Sequence, residues 1–252
     1  MRPSFSTATN DKASTITFNL QSSLYEITPR EVTVKSVQTL GNDYVRLIFC
    51  GESLHDFVSL GFDDHVKVIF SNVNNETLRR NYTPRAYDQK EETLTIDFAL
   101  HPHGDAANWA ENAAVGTKAI IAGPRMTLHI DDNFPCYYFI GDATALPAIN
   151  RKLETLGENT IVKIYLLGER LAEHLMTSLA LVEVFSFSDE RMFKDNIISA
   201  CEDVSANTFI WGAGEYTLMQ EFKQQLNHPK HKMRIASYWR KGEESFHQEH
   251  NK

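Results

Sequence analysis

The stretch Cys136-Tyr137-Tyr138-Phe139-Ile140-Gly141-Asp142-Ala143-Thr144-Ala145-Leu146-Pro147 decides the fold of this chain. Five apolar or aromatic residues run without interruption into a Gly-Asp turn, and a helical pattern through Ile149 and Leu153 follows. A short apolar run bounded by a turn reads as a strand buried on both faces, as in a parallel sheet. Beyond it, Thr160–Leu167, Ala180–Ser186 and Thr208–Trp211 are further strand candidates, and Glu190–Cys201 and Tyr216–Leu226 have helical periodicity. This rhythm predicts a parallel sheet with helices on its faces.

Upstream the pattern is different. Residues 1–30 are rich in Ser, Thr and Asn and read as an arm. Alternation begins at Glu31 with Val32-Thr33-Val34, and Tyr44–Phe49, His65–Phe70, Thr93–Ala99 and Lys118–Ala122 follow, separated by Gly, Asn and Asp. Short strands at this spacing predict a barrel or sandwich, interrupted by one helix from about Asp105 through Trp109 to Ala113. The expected division is an arm at 1–30, a β unit at 31–130, an α/β unit at 131–242 and a polar tail at 243–252.

The chain has 252 residues, 42% of them apolar and 23% charged, which suits a globular fold with a sizeable core. A net charge of −8 disfavours nonspecific attraction to nucleic acid or acidic membranes, so an anionic ligand needs a local basic pocket. No apolar run is long enough for a membrane span and no secretory h-region opens the sequence. Cys50, Cys136 and Cys201 are too few and too scattered to hold an ordinary iron–sulfur cluster. They point to a reducing cytoplasm and to redox chemistry carried by an organic cofactor.

Five segments can carry chemistry. In Arg80-Asn81-Tyr82-Thr83-Pro84-Arg85, an arginine fork for a pyrophosphate stands beside an aromatic ring and a hydroxyl. The same residues also fit a basic strand ending in a proline turn. In His101-Pro102-His103-Gly104-Asp105-Ala106-Ala107-Asn108-Trp109 a strand turns into a helix, whose N–H groups would suit a phosphate or simply be capped by Asp105. The two histidines lack a third ligand nearby, so no metal is expected. Gly141-Asp142-Ala143-Thr144 and Trp211-Gly212-Ala213-Gly214-Glu215 are strand-end turns of the kind that share a ligand crevice in open α/β sheets, or ordinary tight turns. Finally, Tyr238-Trp239-Arg240-Lys241-Gly242 sets aromatics for a flat cofactor beside two cations, or ends a strand.

Taken in order, DHVKVIF (64–70), RNYTPR (80–85), DFALHPHGDAANW (97–109), GPR (123–125), GDATALPA (141–148), GAGE (212–215) and YWRKG (238–242) resemble the siderophore-interacting protein family of ferredoxin–NADP reductase-like flavoproteins. The resemblance implies a six-stranded antiparallel FAD-binding barrel followed by a parallel-sheet, nicotinamide-binding-like domain. It implies that Arg80, Tyr82 and Thr83 hold the pyrophosphate, ribityl and ring portions of FAD. Asp97, Phe98 and His101 would line the rest. Gly104, Ala106 and Ala107 would contribute the helix opening, Trp109 would pack nearby, and Thr144 and Trp239 would complete the cofactor site. Lys67, Arg125 and Arg240 match the family's basic pocket for a ferric siderophore. The implied activity is siderophore reduction with NADH, NADPH or ferredoxin as donor. Two other readings are a reductase serving a ferredoxin and a non-catalytic flavin or siderophore carrier.

Two positions depart from the family pattern. Asp105 replaces the proline of a Gly-Pro-Ala run, bringing negative charge toward the expected pyrophosphate unless it caps the helix. Ala143 replaces a frequent acidic residue after Gly-Asp. In Gly168-Glu169-Arg170, Arg170 suits a 2′-phosphate and Glu169 a free 2′-hydroxyl.

Overall fold

A computed structural model describes residues 21–72, 74–101, 104–130 and 134–243. Most of the expected arm and tail (1–20 and 244–252), and His103 of the histidine pair, lie outside the described residues. The first half holds strands β1 (Gln21–Leu24), β2 (Pro29–Leu40), β3 (Tyr44–Cys50), β4 (Val66–Ser71), β5 (Thr77–Tyr82), β6 (Ala86–Asp88) and β7 (Thr93–Ala99). Helix α1 (Asp105–Glu111), β8 (Lys118–Ala122) and β9 (Met126–His129) complete it.

Seven of these strands form one antiparallel sheet in the order β5-β4-β8-β2-β3-β7-β6. Its two outermost strands are consecutive in the chain, joined by Thr83–Arg85, and the Arg85 N–H already donates to Thr95 O on β7 at 2.8 Å. The sheet therefore curls until its edges meet at this joint. Counted as one bent run, β5 and β6 leave the six strands expected; Pro84 explains the bend, since it fixes φ and donates no ladder hydrogen bond. Alternate side chains fill the interior, among them Val34, Leu47, Phe49, Val68, Ile96 and Phe98. Helix α1 lays Ala106 and Ala110 on this core and stacks Trp109 on Phe70, 4.6 Å between centroids. It stops two residues before the expected Ala113. A further ribbon pairs β1 antiparallel with β9, so Gln21–Leu24, expected within the arm, form a strand instead.

The second half holds β10 (Cys136–Gly141), α2 (Leu146–Leu153), β11 (Ile161–Leu167), β12 (Leu181–Phe187), α3 (Glu190–Glu202), β13 (Thr208–Glu215), α4 (Tyr216–Gln225) and β14 (Met233–Trp239). All five strands are parallel, in the order β12-β11-β10-β13-β14. Central β10 sends Tyr137 and Phe139 into the layer under α2, and Tyr138 and Ile140 into the layer under α3 and α4. Burial on both faces is why this strand reads as unbroken apolar sequence. The strand–helix rhythm fails once: β11 and β12 are linked by a 3-10 turn at Leu171–His174, not by a helix.

Hydrogen bonds tie the two halves together. Tyr44 Oη donates to Ala143 O (2.6 Å), Arg85 makes a two-pronged pair with Glu154 (3.0 and 2.6 Å), and Arg151 donates to Ser59 O (2.8 Å) and Oγ (3.0 Å). Trp211 Nε1 donates to Asp63 Oδ2 (3.1 Å), which Arg234 Nε also reaches.

Candidate functional site

Along β5 the burial alternates, so Arg80 and Tyr82 turn to one side and Arg79 and Asn81 to the other. Tyr82 packs its ring on Phe98, 4.3 Å between centroids. Burial pushes the Tyr82 hydroxyl far above its ordinary value, with the Arg80 charge opposing. Thr83 is buried at the joint beside Tyr238, whose ring lies 6.4 Å from that of Trp211. The RNYTPR and YWRKG segments, over 150 residues apart, thus meet at the boundary between the sheets. Arg85, the motif's last residue, faces Glu154 and acts as a brace.

The helix-opening segment is arranged differently from one expectation. The residue before α1 is Gly104, and Asp105 is the first helical residue rather than its cap. Its carboxylate lies 3.7 Å from Arg80 Nη2, so the negative charge does sit beside the arginine expected at a pyrophosphate. A Cβ at Gly104 would come within 2.1 Å of the His101 ring, so any larger residue there would displace that imidazole. Ala106 and Ala107 are buried against the barrel, which their small size permits.

Asp97 and Phe98 are neighbours in β7 and so face opposite sides of the sheet. Phe98 is wholly inside the barrel core. Asp97 instead receives both prongs of Arg46 (2.6 and 2.8 Å) in a cavity of about 210 Å³ lined also by Leu40, Tyr44, Asn150 and His174.

The three basic residues sit on separate elements. Lys67 on β4 points to the outer side of the sheet and donates to Asn81 Oδ1 at 3.3 Å. Its ammonium is held below the ordinary value, first by partial burial and then by the nearby Arg79 charge. Arg125 is exposed just past β8, after Gly123, whose φ of +102° favours a residue without Cβ. Arg240 lies over the Tyr216 ring at 4.7 Å and pairs with Glu243 at 2.8 Å. No hydrogen bond or ion pair among the described residues links any two of them.

Sequence reasoning did not single out Asp142, which organises the crevice end of the parallel sheet. Its Oδ1 accepts from the Thr144 N–H (2.8 Å) and hydroxyl (2.6 Å), and its Oδ2 accepts from the Trp239 indole (2.8 Å). Glu215 completes the strap by accepting from the Lys241 N–H at 3.2 Å. Residues 239–241 are thereby tied down over both glycine turns. Gly214 stands where a Cβ would meet Asp142 Oδ2 at 2.7 Å.

Burial raises the Asp142 pKa, although hydrogen bonds from Thr144 and Trp239 pull the other way. A raised carboxyl takes up its proton in the folded chain before the unfolded chain does. Its burial therefore weighs on stability above that pKa and is relieved below it. As pH falls from neutrality, Asp142 is expected to protonate above the ordinary carboxylate range and to lose an acceptor for the indole. Tryptophan fluorescence should then show a transition at a pH above the ordinary carboxylate range, absent from Trp239→Phe and Asp142→Asn. A transition unchanged in both variants refutes this link.

A curled antiparallel barrel joined to a parallel sheet, with an aromatic and guanidinium strand at their seam, matches the two-part plan that the sequence resemblance implies. Family models agree in both halves: residues 71–128 match the siderophore-interacting FAD-binding domain and residues 134–242 match the siderophore-interacting protein model. The chain belongs to the siderophore-interacting protein family. It is 28% identical over 236 residues to the NADPH-dependent ferric-chelate reductase of Escherichia coli (strain K12), covering 83% of this chain and 92% of that one. It is 29% identical to the ferric acinetobactin reductase of Acinetobacter baumannii, covering 87% and 81%. The crystal structure of a siderophore utilization protein from T. fusca shares the fold, with a TM-score of 0.79, 24% identity and coverage of 89% and 97%. Among the described residues no helix is long and apolar enough to cross a membrane.

Proposed function

We propose that this chain reduces ferric siderophores to their Fe(II) form, drawing electrons from NADPH by way of bound FAD. The match of both halves to siderophore-interacting models carries the reading. The donor set supports FAD: a guanidinium, an aromatic ring and a buried hydroxyl follow one another at Arg80, Tyr82 and Thr83, where the two sheets meet. On this reading residues 31–130 hold the flavin and 131–242 face the donor.

When bound, FAD supplies the conversion between a two-electron hydride and one-electron transfers, so one NADPH serves two Fe(III). Arg80 would bind the pyrophosphate, displacing the Asp105 carboxylate. Tyr82 and Thr83 would orient the ribityl and ring portions. Phe98 and Trp109 would back the Tyr82 ring from within the barrel, and Gly104 and His101 would shape the loop beside Arg80. Thr144 and Trp239, held by Asp142, would border the donor's approach. Arg170, exposed past β11 and paired with Glu173 at 3.2 Å, would meet a 2′-phosphate, and the E. coli relative's name also favours NADPH. Ferredoxin is the competing donor.

A siderophore chelates Fe(III) through oxygen donors that usually carry negative charge. Lys67, Arg125 and Arg240 would hold that charge near the flavin. Lys67 should matter most, because an anion relieves the repulsion from Arg79, whereas Glu243 already offsets Arg240. Alanine at Lys67 is expected to raise KM about three- to tenfold, with a smaller rise at Arg240 and unchanged flavin content. Equal KM values across the set would remove these residues from the site. The activity itself is tested anaerobically by adding NADPH, NADH or reduced ferredoxin, then ferric siderophore, while following flavin absorbance. Bleaching by NADPH and recovery with siderophore are expected; a flavin that no donor bleaches, or that siderophore does not reoxidise, sinks the enzyme reading.

A further inference from the structure

The parallel sheet has two edges, and they are treated differently. At β14, Arg234 is bound to Asp63 of the barrel half, and the pairing with β13 is interrupted at Gly214/Glu215. At β12 the usual protection of an exposed edge is reduced, among the described residues, to one acidic side chain, Glu183. Leu181–Phe187 contains no proline and no lysine, and its register with β11 runs uninterrupted through seven residues. Because only a 3-10 turn links β11 to β12, no helix among the described residues covers the outer part of this face. Val182 is 38% exposed and Val184 37%, with Met176 at 42% and Leu179 at 69% just before the strand.

The backbone adds direction. Leu181 N–H donates to Thr160 O (2.9 Å) and Phe187 O accepts from Gly168 N–H (2.7 Å), so odd-numbered residues bond to β11. Val182, Val184 and Ser186 consequently turn their N–H and C=O groups away from the sheet. We infer that β12 is a dimerisation edge, where a second copy of this chain pairs antiparallel about a twofold axis centred on Val184. In that register Val184 meets Val184 and Val182 meets Ser186, making about six main-chain hydrogen bonds. Glu183 falls opposite Phe185. Centring on Glu183 instead would set two carboxylates directly opposite, which is unfavourable. Glu183 is the strand's only charge and lies 3.6 Å from Lys163, so the chain's net charge of −8 is not concentrated at this seam. A second copy fits because the outward ladder is complementary to itself when centred on Val184, a register that opposes no like charges. The joined sheet would contain ten strands and would cover Val182 and Val184 of both copies.

The inference is independent of the flavin site, and the test uses the full chain. Sedimentation at about 100 µM is expected to show a dimer that dissociates on dilution, and Val184→Lys is expected to be monomeric with unaltered flavin content. Cysteine pairing reads the register. Val184→Cys should cross-link to itself on mild oxidation, and Val182→Cys should link to Ser186→Cys only when the two are mixed, since facing Cα atoms lie in disulfide range. A wild-type chain that stays monomeric at that concentration overturns the proposal. So does a dimer that survives Val184→Lys, or cross-linking at Glu183→Cys in place of Val184→Cys.

Discussion

Replacing Asp63 by alanine is expected to destabilise the folded chain by about 3–5 kcal/mol, because it removes one partner from a buried ion pair. Asp63 is 3% exposed and serves two donors on different strands, the Trp211 indole and the Arg234 guanidinium. Burial pulls the Arg234 pKa down, yet the Asp63 charge holds it above its ordinary value. Without the carboxylate, a wholly buried indole N–H and a largely buried cation lose their acceptor together, and each desolvation penalty then stands uncompensated. Urea unfolding should show a lower midpoint, and the melting temperature should fall by roughly 6–20 °C. Asp195→Ala, at an exposed pair with Arg191, should stay within about 0.5 kcal/mol of wild type and serves as control. Asp63→Ala as stable as that control would show that the pair does not brace the two halves.

The second large effect is expected at Arg80. Arg80→Ala should weaken FAD binding about ten- to hundredfold, the range for losing a charged hydrogen bond. Titrating the flavin-free protein with FAD and following flavin fluorescence measures this without turnover. Asp105→Asn should act in the opposite sense, tightening binding about two- to fivefold, because its carboxylate lies 3.7 Å from the same guanidinium. The opposed pair separates charge competition from general damage to the loop. If both variants bind FAD as wild type does, Arg80 has no place at the pyrophosphate.

Periodicity made the architecture legible. Uninterrupted apolar sequence marked β10 as a strand buried on both faces, and alternation marked β2, β3, β7 and β8. The single curled sheet was less visible, since its closure depends on a bend at Pro84 rather than on any strand. The missing helix between β11 and β12 was also hidden, because residues 168–180 are too few to show whether a helix or a 3-10 turn fills them. At the candidate site the motifs marked the places but not the partners. Asp142 sat inside a quoted motif, yet its bond to Trp239 joins residues 97 positions apart. Asp63 and Arg234 lie 171 positions apart, and neither carries a local signal of the other. The opposed directions of Asp97 and Phe98, by contrast, follow from simple alternation along β7.

The joint at Thr83–Arg85 combines three duties within three residues: it closes the barrel, it presents Thr83 to the seam where we propose the flavin binds, and it clamps the end of α2 through Glu154. Such overlap restricts how this chain can diverge. A substitution that retunes the flavin contact also disturbs the seam and the clamp, so natural variation in substrate preference has little room here. Inherited change has a freer path at Lys67, Arg125 and the strap of residues 239–241, where a side chain can be exchanged without reopening the barrel.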